Sequence, residues 1–465
     1  MTRLADAIDV LPALQTRKIS GSVKAIQGLA IHATHLPLSV GSAVSVDVDG
    51  TGESCRQGEV IGFHGHEHVV MLYGDLDGIQ PGCPIRGLQS SGRLVSLGSG
   101  LLGRVIDGLG RPLDGRGPIR SESMRPLVGS GIEPLSRSPV KIPFPTGVRV
   151  IDSMATLGHG QRMGIFSRPG VGKSTLLASI ARHSASDVNV IALIGERGRE
   201  VQEFIHDCLG PEGLAKSVVV VATSNESPLL RVRASLLATA IAEYFRDLDE
   251  GNHVLLAMDS LTRFAQAQRQ IGLASGESPA MRGYPPSVFS MLPILVERAG
   301  AVSERASITG LYTVLVEGDD MAEPVSDAAQ SVLDGHLVLC PRLASKGCYP
   351  AVDCLQSISR VAERLSDENH RAGRSELKKL LAALDDAEEL LAIGAYVKGN
   401  DPVTDTAIEI REQISGFLQQ PSDESCGFPE TCRGLVKLAT DAIRMRQRFV
   451  TGKNAVARTG GSSGS

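Results

Sequence analysis

The chain of 465 residues is too long for one compact core and implies two or three domains. Its 47 Lys and Arg against 52 Asp and Glu give a net charge of −5, which supplies no general pull toward nucleic acid or an anionic membrane. With 3% aromatic residues and no tryptophan, it lacks the stacking surfaces that a dedicated single-strand binder requires.

The N-terminal stretch MTRLADAIDVLPALQTRK has no long apolar core and no small-residue cleavage site, so it is not read as a signal peptide. Leu4, Ile8 and Leu11 share one face of a short helix that Pro12 interrupts, and residues 1–18 are expected to dock a partner. No stretch is apolar for long enough to span a bilayer. The eight cysteines show no C-x-x-C ligand spacing and read as reduced thiols, with the cytoplasm as the expected compartment.

Residues 19–95 carry short apolar runs (SGSVKAI, LAIHATHL, AVSVDV, EVIGF, HVVMLY) separated by Gly, Pro and Asp, the pattern of a small β-barrel. Within it, His64, His66 and His68 alternate and are expected on one face of a single strand, where they could ligate zinc, but with no fourth ligand evident an exposed barrel strand is the preferred reading. Residues 101–120 are dense in Gly, Pro and Asp and read as a turn-rich connector leading a domain over 96–370. There VNVIALIG, SVVVVATS, HVLLAMD and ITGLYTVLV alternate with helical stretches, which predicts a parallel sheet buried on both faces. Residues 371–450 are expected to be helical, from the spacing of Leu377, Leu380, Leu381 and Leu384, then Ile410, Ile414 and Phe417, then Leu435, Leu438 and Ala442. The acidic run Asp385–Glu389 reads as a solvated helix face, and 451–465 as a disordered tail.

The strongest motif is SRPGVGKS, Ser167 to Ser174, between the apolar run RMGIF and the helical stretch TLLASIA. Strand, glycine loop and helix form the context of a phosphate-binding P-loop. Gly170 and Gly172 allow the bend that turns backbone N–H groups toward phosphate, and the helix presents its positive end to the same charge. Pro169, Gly170, Val171, Gly172, Lys173, Ser174 and Thr175 are the expected nucleotide contacts, Lys173 reaching the β- and γ-phosphates of ATP and Ser174 ligating Mg²⁺. Ser167 stands where the motif usually has its first glycine.

HVLLAMD ends in Asp259, placed to hold the metal's water shell, with a helix N-cap as the competing or additional role. VNVIALIG ends in Glu196, a carboxylate at the tip of a strand, where open α/β sheets bind ligands. Glu196 is therefore the candidate general base, against an ion pair with Arg197 or Arg199.

Six longer stretches carry a family resemblance: IGERGREVQEFI, LLAMDSLTRFAQAQRQIG, GYPPSVFSMLPILVERAG, TVLVEGDDMAEPVSDAAQSVLDGH, YPAVDCLQSISR and YVKGNDPVTDTAIEI. Occurring in family order over residues 20 to 450, they resemble the flagellar and type III secretion export ATPases, relatives of the catalytic beta subunit of rotary ATP synthases. The resemblance implies a RecA-like P-loop ATPase core of α/β class with an N-terminal β-barrel and a C-terminal helical domain. It implies a homohexamer with nucleotide at subunit interfaces, hydrolysing ATP to drive export, chaperone release and substrate unfolding. It gives Glu196 the catalytic role, brings Arg197 to phosphate, makes Arg360 the finger that enters the neighbouring site, and sets Tyr349 against adenine. The partners it implies are a stator-like regulator at the N-terminus, a central stalk in the pore, an export gate, chaperones and export substrates, with peripheral membrane association and no specific nucleic acid. The loop 272–286 resembles the segment that faces the pore. The phenylalanine that follows a Gln-Pro pair in the beta subunit is replaced by Ser422, after Gln420-Pro421. The alternatives are a rotary-synthase catalytic subunit, a non-catalytic nucleotide-binding ring subunit, and an RNA translocase of the same superfamily.

Overall fold

The computed structural model describes residues 19–88, 92–129, 131–248, 251–316 and 323–459. The expected docking segment 1–18 lies outside them.

Six strands close the N-terminal barrel: β1 (Ser20–Gln27), β2 (Ala30–Thr34), β3 (Ala43–Asp47), β4 (Cys55–His64), β5 (Glu67–Leu72) and β6 (Pro84–Gly87). Closure removes exposed sheet edges. β6, absent from the sequence reading, bridges β1 and β3 and completes the ring. Val23, Ile31, Val44, Val46, Val60, Val70 and Ile85 fill the interior. The three alternating histidines do not share one strand. Gly65 takes a positive φ of 60° and the chain turns there, so His64 ends β4 opposite Glu67, and Phe63 faces His68. Among the described residues no group of three metal-ligating side chains forms.

A short pair, β7 (Leu94–Leu97) and β9 (Ser123–Pro126), leads into the second domain. Between them, the segment expected as a pure connector contributes β8 (Val105–Asp107), an edge strand parallel to the central sheet. Asp114 folds the turn-rich remainder back by pairing with Arg104 Nε at 2.6 Å.

The central sheet comprises β8, β10 (Arg162–Ser167), β11 (Val188–Ile194), β12 (Ser217–Ala222), β13 (His253–Asp259), β14 (Gly300–Ala301), β15 (Ser307–Leu315), β16 (Gly335–Leu339) and β17 (Ile358–Ser359). The order is β17-β16-β10-β15-β13-β11-β12-β8, with β14 off this path beside β15. Only β14 and β17 run antiparallel. Strand periodicity divides each run between two cores. Val190, Ala192 and Ile194 of β11 join the core beneath the helix Pro228–Arg246, whereas Ile191 and Leu193 face the helix Lys173–His183.

The C-terminal helices Glu368–Ala392, Pro402–Glu409, Arg411–Leu418 and Phe428–Thr459 bury Leu377, Leu380, Ile414, Leu435, Leu438 and Ala442 in that second core. The helical part therefore shares its core with the phosphate-loop side of the sheet. Gln420 bolts the junction: its Nε2 donates to the Gly147 carbonyl and its Oε1 accepts from the Arg149 amide, both at 2.8 Å. The acidic run is not merely solvated, because Arg342 pairs with Asp385 at 2.8 Å and with Glu388 at 2.6 Å across the same junction. The last helix continues to Thr459, into the segment expected as a tail.

At the far end of the sheet from the phosphate loop, His159 and His253 stack with ring centroids 3.9 Å apart. Burial, then the neighbouring His253, pushes His159 down to about 4, and burial also lowers His253. The unfolded chain thus binds these protons more readily than the folded one. Stability is complete above the ordinary imidazole value near 6.5 and falls as pH drops from there toward about 4. Going from pH 7.5 to 5.5 should remove ~1 kcal/mol through His159, and His159→Gln should flatten that dependence in chemical-denaturation curves recorded at both pH values.

Candidate active site

The site is assembled at the C-terminal tips of the parallel strands, where helices begin and backbone N–H groups are free to meet an anion. β10 ends at Ser167 and the loop to Gly172 opens the helix Lys173–His183. Gly170 and Gly172 take φ of 81° and 88°, a left-handed geometry that side chains oppose. Val171 is buried and anchors the loop, whereas Pro169, Gly170 and Thr175 are exposed and Ser174 is half-buried in the helix's first turn. Ser167, at the position of the usual glycine, is buried as the last residue of β10.

Three charged groups converge here. Lys173 Nζ donates to Asp259 Oδ1 and stands 3.7 Å from Glu196 Oε1. Asp259, the last residue of β13, is 2% exposed. The N-cap role considered for it belongs to Ser260, whose hydroxyl accepts from the Arg263 amide at 3.2 Å. Asp259 is thereby left to face the lysine. Glu196 follows β11 and is pushed up to about 7, first by burial and then by the charge of Asp259, with Lys173 opposing both. The competing surface pairing with Arg197 or Arg199 does not form, since those arginines bind Glu200 at 2.8 Å and Glu203 at 2.7 Å.

Arg197 stays outside the cluster: it is exposed and caps the helix Gly198–Glu203. Tyr349 comes close. A Cβ built on Gly172 would meet its ring at 3.3 Å, so the ring lies against the glycine loop while 46% of the residue remains exposed. Phe417, the phenylalanine nearest in sequence to Gln420-Pro421, packs toward Gly434 of the last helix.

Arg360 lies elsewhere. Ser359 pairs with Gly335, and the Arg360 amide donates to the Asp334 carbonyl at 3.0 Å. Asp334 in turn holds Arg162, the first residue of β10. Arg360 is thus level with the start of β10, whereas the phosphate loop leaves its end, roughly 17 Å away at ~3.3 Å per residue. Its side chain is exposed and donates to the Gln330 carbonyl at 3.3 Å.

Three neighbours escaped the sequence reading. Glu200 hydrogen-bonds Glu196 and is itself lowered chiefly by that bond. The stem of Arg263 packs on Gly195, where a Cβ would meet it at 2.9 Å. Thr313 on β15 donates to Asp259 at 2.8 Å. Glu200 and Arg263 stand in the first helical turns that follow the two strand tips, which is the one local signal for them. Nothing local marks Thr313.

Comparison with known proteins agrees with this architecture. The nucleotide-binding domain of the ATP synthase alpha/beta family matches residues 147–359, its beta-barrel domain 26–89, and the T3SS EscN ATPase C-terminal domain 366–437. The flagellum-specific ATP synthase of Pseudomonas aeruginosa is 47% identical over 422 residues, covering 90% of this chain and 93% of that protein. The chain belongs to the flagellar and type III secretion ATPase family. The type 3 secretion system ATPase of Xanthomonas euvesicatoria is 46% identical over 425 residues, 91% of this chain and 94% of that one. The assembled ATPase EscN of enteropathogenic E. coli superposes with a TM-score of 0.83 at 42% identity, covering 90% of this chain and 100% of EscN. A further structure shows EscN with its central stalk EscO and gives a TM-score of 0.81 at 41% identity. This member of the family is an ATPase with a nucleotide-binding domain, energising export in a flagellar or type III secretion setting. Among the described residues no helix is long and apolar enough to cross a membrane.

Gly172→Ala tests the loop. A left-handed Cβ facing Tyr349 costs ~1–2 kcal/mol. The variant should fold with a slightly lowered melting temperature and bind fluorescent ADP at least ~10-fold more weakly, because strain and displacement of the ring act together.

Proposed function

We propose that Lys173, Glu196 and Asp259 hydrolyse ATP in concert, with a site completed by Arg360 of an adjacent copy in a hexameric ring. The observation that carries this reading is the convergence of one ammonium and two carboxylates beside a glycine loop at the tips of adjacent strands. Lys173 is held by Asp259 until a triphosphate offers its own negative oxygens. Glu196, raised to about 7, sits where a base for water is most effective. It takes the proton as the water oxygen bonds to the γ-phosphorus and the β,γ-bridging bond breaks, releasing ADP and phosphate. Glu200 orients Glu196, and Tyr349 offers its face to adenine.

The donor set suits Mg²⁺. A hydroxyl at Ser174 and a buried carboxylate at Asp259 are hard oxygens, and a nucleotide-borne Mg²⁺ needs only one or two protein ligands beside phosphate and water. When bound, the ion would neutralise charge on the phosphates. Arg360 lies too far along β10 to serve its own loop, which supports a role in the next subunit. The assembled state of EscN and its complex with a central stalk support the ring and a stalk in its pore, and the family resemblance alone extends the reading to chaperone release and substrate unfolding. Pairing with a stator-like regulator, contact with the export gate and peripheral attachment at the inner membrane face complete the reading.

Two measurements test it. Glu196→Gln should retain ATP binding while turnover falls by at least ~10²; near-normal hydrolysis would remove the base assignment. Arg360→Ala and Lys173→Ala should each be inactive, and mixing them should restore measurable ATPase activity, because mixed rings regain sites holding both groups. No recovery from mixed rings of confirmed composition would contradict shared sites.

A further inference from the structure

We propose that Thr313 is a positioning residue that fixes the metal-side carboxylate while Lys173 changes partners. The inference rests on the ATPase reading above and concerns a strand to which that reading assigns no role. β15 lies between β10, which carries the phosphate loop, and β13, which ends in Asp259. Thr313 pairs in register with Ile165 of β10, and Tyr312 pairs with Met258 of β13. Its side chain is fully buried, so solvent cannot satisfy the hydroxyl. The hydroxyl donates to Asp259 Oδ1 at 2.8 Å, with the Met258 carbonyl a longer alternative at 3.4 Å.

Both donors to the Asp259 carboxylate, Lys173 and Thr313, take the same oxygen, Oδ1. Among the described residues none donates to Oδ2, which stays available to a metal-bound water. When phosphate draws Lys173 away, the threonine becomes the remaining donor on Oδ1. A buried carboxylate that lost both donors would be free to rotate. With the threonine in place, Oδ2 keeps one direction throughout the exchange. Outer-shell partners of a metal site typically change metal affinity by about 10- to 100-fold when removed.

The test uses the full chain, with Mn²⁺ as a paramagnetic probe titrated in the presence of ADP. Thr313→Val keeps the shape and β-branching but removes the hydroxyl, and Thr313→Ser keeps the hydroxyl. The valine variant should bind ADP normally in EDTA, bind Mn²⁺ about 10- to 100-fold more weakly, and need correspondingly more Mg²⁺ for half-maximal activity. The serine variant should recover most of both. If the valine variant does not fold, Thr313→Ala against Thr313→Ser poses the same question, since the two differ only in the hydroxyl. Wild-type Mn²⁺ affinity in the valine or alanine variant, or a serine variant as weakened as they are, would overturn the inference alone. A wild-type chain that binds ADP without any metal dependence would overturn the reading of the site as well.

Discussion

The structure is organised around one electrostatic requirement: Asp259 is buried and must be compensated. An isolated carboxylate at that depth would be protonated or destabilising. Lys173 answers it across the sheet, and a hydroxyl from the intervening strand shares the same oxygen. This pairing ties the loop after β10 to the end of β13 before any nucleotide arrives. In the proposed reaction the pair is exchangeable, because a triphosphate would supply the lysine with a stronger anion than the one it leaves. Glu196 feels the same field from the other side. Burial and Asp259 hold its proton on, while Lys173 works against them.

The helical domain is joined to this centre by polar contacts that converge on one turn. Gln420 donates its backbone N–H to the Tyr349 carbonyl at 2.9 Å while its side chain grips Gly147 and Arg149. Tyr349 leans on Gly172. A displacement of the phosphate loop therefore has a short mechanical path to the C-terminal helices, through one aromatic ring and one glutamine. The ion pairs of Arg342 with Asp385 and Glu388 close the same junction at the surface, where salt weakens them.

Much of the fold was legible because its signals are local. Runs such as VNVIALIG are long and apolar enough to demand burial on two faces, and SRPGVGKS sits between a strand and a helix as its chemistry requires. The strands that were missed, among them PIRG in the barrel, VID in the connector and GHLVL near the edge, are too short for a strand period to stand out from turns. The histidines misled because strict alternation reads as one strand, whereas a glycine between them turned the chain. Arg197 sits beside Glu196 in sequence, yet its side chain is exposed and paired with Glu200, because adjacency along the chain does not set direction at a strand's tip, where a helix begins.

By itself the sequence determined the domain order and the parallel sheet, and it singled out the glycine loop with its lysine and serine and the two carboxylates at the strand tips, since each is written in residues close together along the chain. Only the tertiary structure decided which charges meet. The pairing of Lys173 with Asp259, the hydroxyl of Thr313 between them, and the separation of Arg360 from its own loop depend on strand order and register. Those are set by how distant segments pack, and no local spacing encodes them.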